Sequence, residues 1–131
     1  MQEKVICFLI DDDYDDQEIF SLALNAIDED IDCITANDGV DALNKLRKEH
    51  GFTPHFIFLD LNMGRMNGRE CLKEIRKIPH LNNIPVIIFS TSSEQKDITE
   101  TMLLGASDYI VKPPSISILT KRLEQVLRKD S

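Results

Sequence analysis

Short, unbroken apolar runs alternate along this chain with stretches in which apolar residues recur every three or four positions. The clearest runs cover 5–10, 56–59 and 86–89, and each stops abruptly at polar residues. A short run that is apolar throughout is typical of a strand buried on both faces of a parallel sheet. Weaker runs at 31–36 and 109–111 predict two further strands.

Helical spacing follows four of these five runs and predicts which residues face the core. The predicted core residues are Ile19, Leu22, Ala23 and Ala26 in the first helix, Val40, Leu43 and Leu46 in the second, Cys71, Leu72 and Ile75 in the third, and Ile116, Leu119, Leu123 and Val126 in the last. A fourth helix is predicted between them from its end signals alone.

Residues that favour helix ends mark where several helices begin and stop. Acids at 13, 15 and 16 suit the start of the first helix, because the helix dipole favours negative charge there. Capping-box spacing predicts the starts of the third and fourth helices, at Asn67 with Glu70 and at Ser92 with Gln95. The expected stops are Gly51 with Pro54 for the second helix and Gly105 for the fourth.

Five strand–helix units in succession predict an α/β fold. We expect a doubly wound, five-stranded parallel sheet with five helices on its two faces, joined by right-handed crossovers. No linker, repeat or low-complexity segment interrupts the pattern, so residues 1–131 are expected to form a single domain.

Polar residues follow four of the predicted strands at the point where each strand ends. They are Asp11 with Asp12, Asp60, Ser90 and Lys112. Because parallel strands end at the same edge of a sheet, these side chains are expected to meet in one crevice, where open α/β sheets bind their ligands.

Composition excludes several classes of function. The net charge of −8 argues against binding to nucleic acid, which requires a basic surface. The apolar run at 5–10 is too short to span a membrane, and acids follow it at once, so it is not a signal peptide. Three widely spaced cysteines without a CxxC pair predict free thiols, no zinc site and a cytoplasmic location.

The predicted crevice combines groups that suit phosphoryl transfer. Three neighbouring carboxylates, from Asp11, Asp12 and Asp60, repel one another unless a cation or protons relieve them, and oxygen ligands select a hard cation such as Mg²⁺. Lys112 adds a positive charge and Ser90 a hydroxyl donor, which can neutralise phosphoryl oxygens. Asp60 is then the expected nucleophile. Each residue alone has a simpler explanation, as a helix cap, a solvated cation or a loop hydroxyl.

With these motifs in order, the chain resembles the receiver domain of bacterial two-component response regulators, which has a flavodoxin-like topology. The matching segments are 9–13, 59–63 with Met66 and Gly68, 85–90 and 105–113. Their separations match as well, since 30 residues lead from Asp60 to Ser90 and 22 from Ser90 to Lys112. The resemblance covers essentially the whole chain and implies a stand-alone receiver without an output domain.

The resemblance also implies a role for each site residue. Asp60 would accept a phosphoryl group from a histidine kinase, and Asp12, Asp60 and the backbone carbonyl of Asn62 would bind Mg²⁺. Asp11 would hold the metal ion through water. Catalysis would be limited to Mg²⁺-dependent self-phosphorylation and slow self-dephosphorylation.

Further roles implied by the resemblance concern the response to phosphorylation. Ser90 and Lys112 would contact the phosphoryl oxygens, and Tyr109 would change rotamer as Ser90 moves. A cis peptide bond before Pro113 would aim Lys112 inward. Two departures from the family pattern stand out: Gly64 replaces a common Pro, which predicts a looser loop after Asp60, and Ser90 replaces the commoner Thr.

Three other functions share parts of this pattern. A haloacid dehalogenase-like phosphohydrolase also uses an Asp at a strand end with Mg²⁺, but its nucleophile follows the first strand and it carries a cap domain; turnover of a phosphate ester would favour it. A phosphorylation-independent interaction module would be expected to have lost acids from the site. Binding of FMN would require a hydroxyl-rich phosphate loop after the first strand.

A surface for protein partners is predicted on helix four, strand five and helix five. Helix four carries the acids Glu94, Asp97 and Glu100, whereas helix five carries the bases Lys121, Arg122, Arg128 and Lys129. An acidic strip beside a basic strip is self-complementary around a two-fold axis. Leu103 is predicted to point outward and to anchor this partner face, either in a phosphorylation-dependent homodimer or with a downstream protein.

Overall fold

In the part of the chain that the structure describes, five parallel strands and five helices alternate, as the sequence predicts. The computed structural model describes residues 4–47 and 53–129. The elements are β1 Val5–Ile10, α1 Tyr14–Ile27, β2 Ile31–Ala36, α2 Gly39–Arg47, β3 Phe56–Leu59, α3 Gly68–Arg76, β4 Val86–Ser90, α4 Gln95–Leu103, β5 Asp108–Val111 and α5 Ile116–Lys129. A short 3-10 turn, Pro79–Leu81, lies between α3 and β4. No helix in the described ranges is long and apolar enough to cross a membrane.

The strands form one sheet in the order β2-β1-β3-β4-β5, and all neighbours are parallel. The sheet is therefore doubly wound, since β1 pairs with β2 on one side and β3 on the other. Two backbone hydrogen bonds continue the pairing past the strand ends: the Asp11 amide donates to the Ala36 carbonyl at 3.1 Å, and the Asp60 amide to the Ile10 carbonyl at 2.9 Å. These bonds place Asp11 and Asp60 side by side.

Each face of the sheet carries its own hydrophobic core. On one face, alternate strand residues such as Phe8, Ile57 and Ile88 belong to a core that includes buried residues of α2 and α3. On the other face, the intervening residues pack with α1 and α5. The unbroken apolar runs in the sequence follow from this arrangement, because a strand covered on both faces buries every side chain.

The prediction of the inward face of α1 is wrong for three of its four residues. Ala23 is fully buried as predicted, but Ile19 and Leu22 are 39% and 51% exposed and Ala26 is also exposed. Phe20 and Leu24, which were not predicted, are fully buried. The helix carries two overlapping apolar stripes with the same spacing, and the stripe that contains Phe20 turns inward. The Phe20 ring lies 4.8 Å from that of Phe58 and 5.4 Å from that of Phe89, both in edge-to-face geometry, which favours this choice.

The other predicted core residues fare better. The predicted residues of α3 are fully buried. In α2, Leu43 and Leu46 are at most 3% exposed, and Val40 is half-buried. In α5 the predicted residues Leu119, Leu123 and Val126 are buried. Ile116 is the exception: it is 43% exposed, and it is the first residue of α5, at the end of the predicted apolar stripe.

Helix ends confirm three of the predicted signals and contradict a fourth. Asp13 caps α1, and Asp15 and Asp16 lie in its first turn, as predicted. The Asn67 side chain caps α3 by accepting from the Glu70 amide at 3.0 Å, and Gly105 closes α4 with a φ of 112°. The capping box at Ser92 and Gln95 is wrong, because α4 begins later, after Glu94. The Ser92 hydroxyl instead accepts from the Glu94 amide in a local turn. The predicted stop at Gly51 lies outside the described residues.

Gly68 lies against the loop that carries Asp60. A Cβ atom at position 68 would approach the Asp60 carbonyl oxygen to 2.3 Å and the Leu61 Cα to 2.6 Å. The Gly68 amide also donates to the Leu61 carbonyl at 3.0 Å. Only glycine fits here without moving the start of α3 or the Asp60 loop.

Gly68→Ala should therefore lower the free energy of unfolding by about 1–3 kcal/mol, since the added methyl group would clash with backbone atoms. The matched control is Gly64→Ala in the same loop, because a Cβ atom there meets nothing within 4 Å. The control should change stability by no more than about 0.5 kcal/mol. Urea unfolding of both variants measures the difference, and equal effects would contradict the proposed clash.

Candidate functional site

The ends of β1, β3, β4 and β5 meet at one edge of the sheet, which we call the carboxyl edge. Asp11 and Asp12 follow β1, Asp60 follows β3, Ser90 is the last residue of β4, and Lys112 follows β5. Lys112 Nζ is within 4 Å of carboxylate oxygens of both Asp11 and Asp60. The structure thus brings together residues from four separate parts of the sequence.

An acidic cluster forms the centre of this edge. Asp11, Asp12 and Asp60 each offer one carboxylate oxygen, and these three atoms lie within 4.8 Å of one another. Asp11 is completely buried and Asp60 is 5% exposed, while Asp12 is exposed to solvent. Solvent thus reaches the cluster on the side of Asp12.

Asp11 is the most desolvated member of the cluster. Its Oδ1 accepts a hydrogen bond from the Asp13 amide at 3.0 Å. Its Oδ2 is buried without a hydrogen-bond partner among the described residues, although Lys112 Nζ lies 2.9 Å away as an ion pair of poor angle. Burial raises the pKa of Asp11 to about 6, against the lowering effects of the Asp13 amide and Lys112. A buried carboxylate oxygen in this state favours a cation beside it.

Asp60 is held less tightly than Asp11. Its Oδ1 accepts from the Asn62 amide at 3.2 Å, and its Oδ2 lies 3.5 Å from Lys112 Nζ. Burial raises the pKa of Asp60, and repulsion from Asp12 adds to the effect, while Lys112 and the Asn62 amide act in the opposite direction. The second oxygen of Asp60 therefore forms only a longer ion pair with Lys112 than Asp11 does.

These donors fit a divalent metal ion. All three side chains are carboxylates, the ligand type that hard cations prefer, and their negative charges are only partly offset by one ammonium group. The buried Oδ2 of Asp11, which pairs with Lys112 but accepts no hydrogen bond among the described residues, is a further sign that the site suits a positive charge. The cluster is typical of a divalent-metal site.

Lys112 crosses the site from the β5 side. Its Nζ donates a hydrogen bond to Asp16 Oδ2 at 2.7 Å and lies 5.2 Å from the centre of the Phe89 ring. Burial alone would lower the pKa of Lys112, but the hydrogen bond to Asp16 and the ion pair with Asp11 raise it above its ordinary value. Lys112 is therefore a permanent cation at this edge.

The predicted cis peptide bond before Pro113 is wrong. The described residues contain no cis peptide bond, and the Lys112 side chain still reaches Asp11, Asp16 and Asp60. The trans form is also the favoured one for an X–Pro bond.

Ser90 and Tyr109 are connected through Ser92. The Ser90 hydroxyl accepts a hydrogen bond from the Ser92 amide at 3.1 Å, and the Tyr109 hydroxyl donates to the Ser92 carbonyl at 2.8 Å. Ser90 is fully buried, and Tyr109 is 9% exposed. The Ser92 hydroxyl donates to Asp97 of α4 at 2.5 Å. One loop residue therefore contacts the site, the tyrosine and the next helix.

Two of these residues were missed by the sequence interpretation. The helix dipole explains Asp16 in the sequence interpretation, although this residue lies in the first turn of α1, only four positions after Asp12. Ser92 was assigned to a helix cap. Its role depends on backbone atoms, which carry no signal in the sequence.

Comparison with known proteins assigns this arrangement to a family. The family model of the response regulator receiver domain matches residues 7–124. This chain belongs to that family. It is a receiver domain of two-component signal transduction, and the phosphohydrolase, FMN-binding and phosphorylation-independent alternatives gain no support.

Individual relatives agree with the family match. The chain is 36% identical over 123 residues to a transcriptional regulatory protein of Haemophilus influenzae, a CpxR homologue, covering 94% of this chain and 50% of the relative. The chain spans about half the length of the first curated relatives that it matches.

Solved receiver structures have the same fold. The phosphorylated cyanobacterial phytochrome response regulator RcpA is 32% identical with a TM-score of 0.85, covering 94% of this chain and 91% of RcpA. The Mn²⁺-bound form of the response regulator Rcp1 is 28% identical with a TM-score of 0.82, covering 93% of this chain and 91% of Rcp1. The receiver fold is thus confirmed, and one neighbour was solved with a divalent metal ion.

The repulsion within the cluster generates a prediction about stability. With a chelator at pH 7.5, Asp60→Asn should raise the free energy of unfolding by about 1 kcal/mol, because it removes one buried charge beside Asp11. The pKa of Asp11 is about 6 in the folded receiver against 3.8 ordinarily, so between these values only the folded form holds the proton. Lowering the pH from 6 towards 4 protonates Asp11 in the folded wild type and so removes its repulsion from Asp60. The difference in the free energy of unfolding between the variant and the wild type should therefore become smaller.

Urea unfolding across this pH range, for wild type and variant in chelator, measures the effect. A variant less stable than the wild type at pH 7.5 would show that Lys112 fully offsets the repulsion.

Proposed function

We propose that this receiver accepts a phosphoryl group on Asp60 in a Mg²⁺-dependent reaction, from a histidine kinase or a phosphotransfer protein. The observation that carries the proposal is the position of Asp60 at the carboxyl edge, between an acidic cluster that suits a divalent cation and the Lys112 ammonium group. This arrangement supplies a nucleophile and positive charge for the phosphoryl oxygens in one place.

The Asp60 carboxylate is the nucleophile in this proposal. One of its oxygens attacks the phosphorus atom, and the bond from phosphorus to the donor's nitrogen or oxygen breaks. The Asn62 amide fixes the carboxylate through Oδ1, which leaves Oδ2 without a hydrogen bond in the described structure. Slow hydrolysis of the acyl phosphate by water would restore Asp60, and no other turnover is proposed.

The metal ion would be held by Asp12, Asp60 and the backbone carbonyl of Asn62, with Asp11 acting through water. When bound, Mg²⁺ supplies charge neutralisation for the phosphoryl oxygens. Lys112 and Ser90 would contact two of these oxygens. The Ser90 hydroxyl can donate its proton to one of them, because in the described structure it only accepts a hydrogen bond, from the Ser92 amide.

The response to phosphorylation would pass through Ser92. If Ser90 turns towards a phosphoryl oxygen, the hydrogen bond from the Ser92 amide is weakened and the loop after β4 can shift. The Ser92 carbonyl that holds the Tyr109 hydroxyl would move with it. A change of the Tyr109 rotamer is the proposed result, biasing an equilibrium between two surface states.

Treatment with acetyl phosphate and Mg²⁺ should add one phosphoryl group to the wild type and none to Asp60→Asn. Intact-protein mass spectrometry after seconds to minutes measures the incorporation. Ser90→Ala is a useful companion, since it keeps the nucleophile and should slow incorporation by about tenfold or more by removing one donor to the phosphoryl group. Equal incorporation in wild type and Asp60→Asn would refute the assignment of Asp60.

A partner surface on α4, β5 and α5 is a second proposal. Leu103, the last residue of α4, is 82% exposed, and its neighbour in the chain, Met102, is 44% exposed. Val111 at the end of β5 is 40% exposed. The acidic strip of α4 contributes less than the sequence suggested, because Arg69 of α3 pairs with both Asp97 and Glu100. The exposed Leu103 side chain is therefore the main support for phosphorylation-dependent self-association or docking of a downstream protein.

We further propose that this receiver acts in the cytoplasm through protein contacts and does not bind nucleic acid. The net charge of −8 supports this, since phosphate backbones repel an acidic surface.

Leu103→Glu should abolish self-association or partner docking induced by a beryllofluoride mimic of the aspartyl phosphate, because a charge in the centre of an apolar contact is costly. Light scattering with and without the mimic measures self-association, and pull-downs measure docking of a partner. Leu22→Glu is the matched control, since Leu22 is a 51% exposed leucine on α1. Loss of association in both variants, or in neither, would contradict the proposed surface.

A further inference from the structure

The ammonium group of Lys112 lies among three carboxylates, and its shortest contact is to a residue outside the acidic cluster. Nζ is 2.7 Å from Asp16 Oδ2, 2.9 Å from Asp11 Oδ2 and 3.5 Å from Asp60 Oδ2. Of the three, the Asp16 contact also has the geometry of a hydrogen bond. Asp16 therefore sets the direction of the Lys112 side chain.

We infer that Asp16 is a positioning residue, which holds the Lys112 ammonium group on the α1 side of the site and away from a tight ion pair with Asp60. The inference rests on the proposed function, because it concerns how Asp60 stays available to the metal ion and the phosphoryl donor. It adds a residue of α1 to a site that is otherwise built from strand ends.

Asp16 is well fixed for such a role. It lies in the first turn of α1, where its amide donates to the capping side chain of Asp13 at 3.2 Å. The next residue, Gln17, donates to the Asp11 carbonyl at 2.7 Å and to the Asn37 side chain at 3.0 Å. These contacts tie the start of α1 to the ends of β1 and β2, so the Asp16 carboxylate keeps its place relative to Asp11.

The position of Lys112 matters because an ammonium group and a metal ion compete for the same oxygens. Both are drawn to the carboxylates of Asp11 and Asp60, and they repel each other at close range. With Asp16 in place, Lys112 already has a close partner and Asp60 Oδ2 lies 3.5 Å away. Without the Asp16 carboxylate, Lys112 would pair with Asp60 and weaken the binding of a divalent cation.

Calorimetric titration with MgCl₂ tests the inference on the full chain. Asp16→Asn should raise the Kd for Mg²⁺ by about fivefold, within the range measured for coupled neighbouring side chains. The matched control is Asp15→Asn, which removes the same charge from the same helical turn at an exposed residue that forms no ion pair with Lys112 in the described structure. The control should change the Kd by less than about twofold.

A double-mutant cycle shows whether Asp16 acts through Lys112. In a Lys112→Met background, Asp16→Asn should have no larger effect on the Kd than Asp15→Asn, because the competing ammonium group is gone. Asp16→Glu should restore much of the wild-type affinity. Circular dichroism and urea unfolding of each variant verify that it is folded.

The outcomes separate this inference from the proposed function. If the wild type binds no Mg²⁺, the proposed function fails. If the wild type binds Mg²⁺ but Asp16→Asn and Asp15→Asn shift the Kd equally, or the Asp16→Asn effect persists at full size in Lys112→Met, the inference alone is overturned.

Discussion

Repulsion between buried carboxylates is the constraint on which the site depends. Asp11 and Asp60 would separate if they were free, and they stay together because backbone hydrogen bonds to Ala36 and Ile10 extend the sheet beneath them. The two hydrophobic cores pack that sheet against α1 and α5 on one face and α2 and α3 on the other. Packing far from the chemistry therefore stabilises an arrangement of charges that is unfavourable by itself.

Much of the fold could be predicted from the sequence because strands buried on both faces have a simple sequence pattern. Such a strand is apolar throughout, so β1, β3 and β4 are visible as unbroken apolar runs. The site could be located for the same reason, since the first polar residue after such a run marks the carboxyl edge. The face of α1 could not be predicted, because two stripes have equal spacing and only the three-dimensional fit of Phe20 decides between them.

Contacts between side chains of different elements could not be predicted from the sequence either. Spacing along the chain shows that Lys112 reaches the crevice but not which carboxylate it meets first. Likewise, Asp97 and Glu100 are read from the sequence as an acidic strip, while their neutralisation by Arg69 depends on how α3 lies beside α4. Charge patterns describe a surface well only when neighbouring helices do not supply the opposite charge.

The connection from Ser90 to Tyr109 runs through the amide and carbonyl groups of residue 92 and not through its side chain. Every amino acid except proline has both groups, so this position can vary in evolution without breaking the link between the site and the tyrosine. The contacts to Asp97 and to the Glu94 amide require the hydroxyl group. A substitution at this single residue would therefore change the contact with α4 and keep both backbone hydrogen bonds between Ser90 and Tyr109.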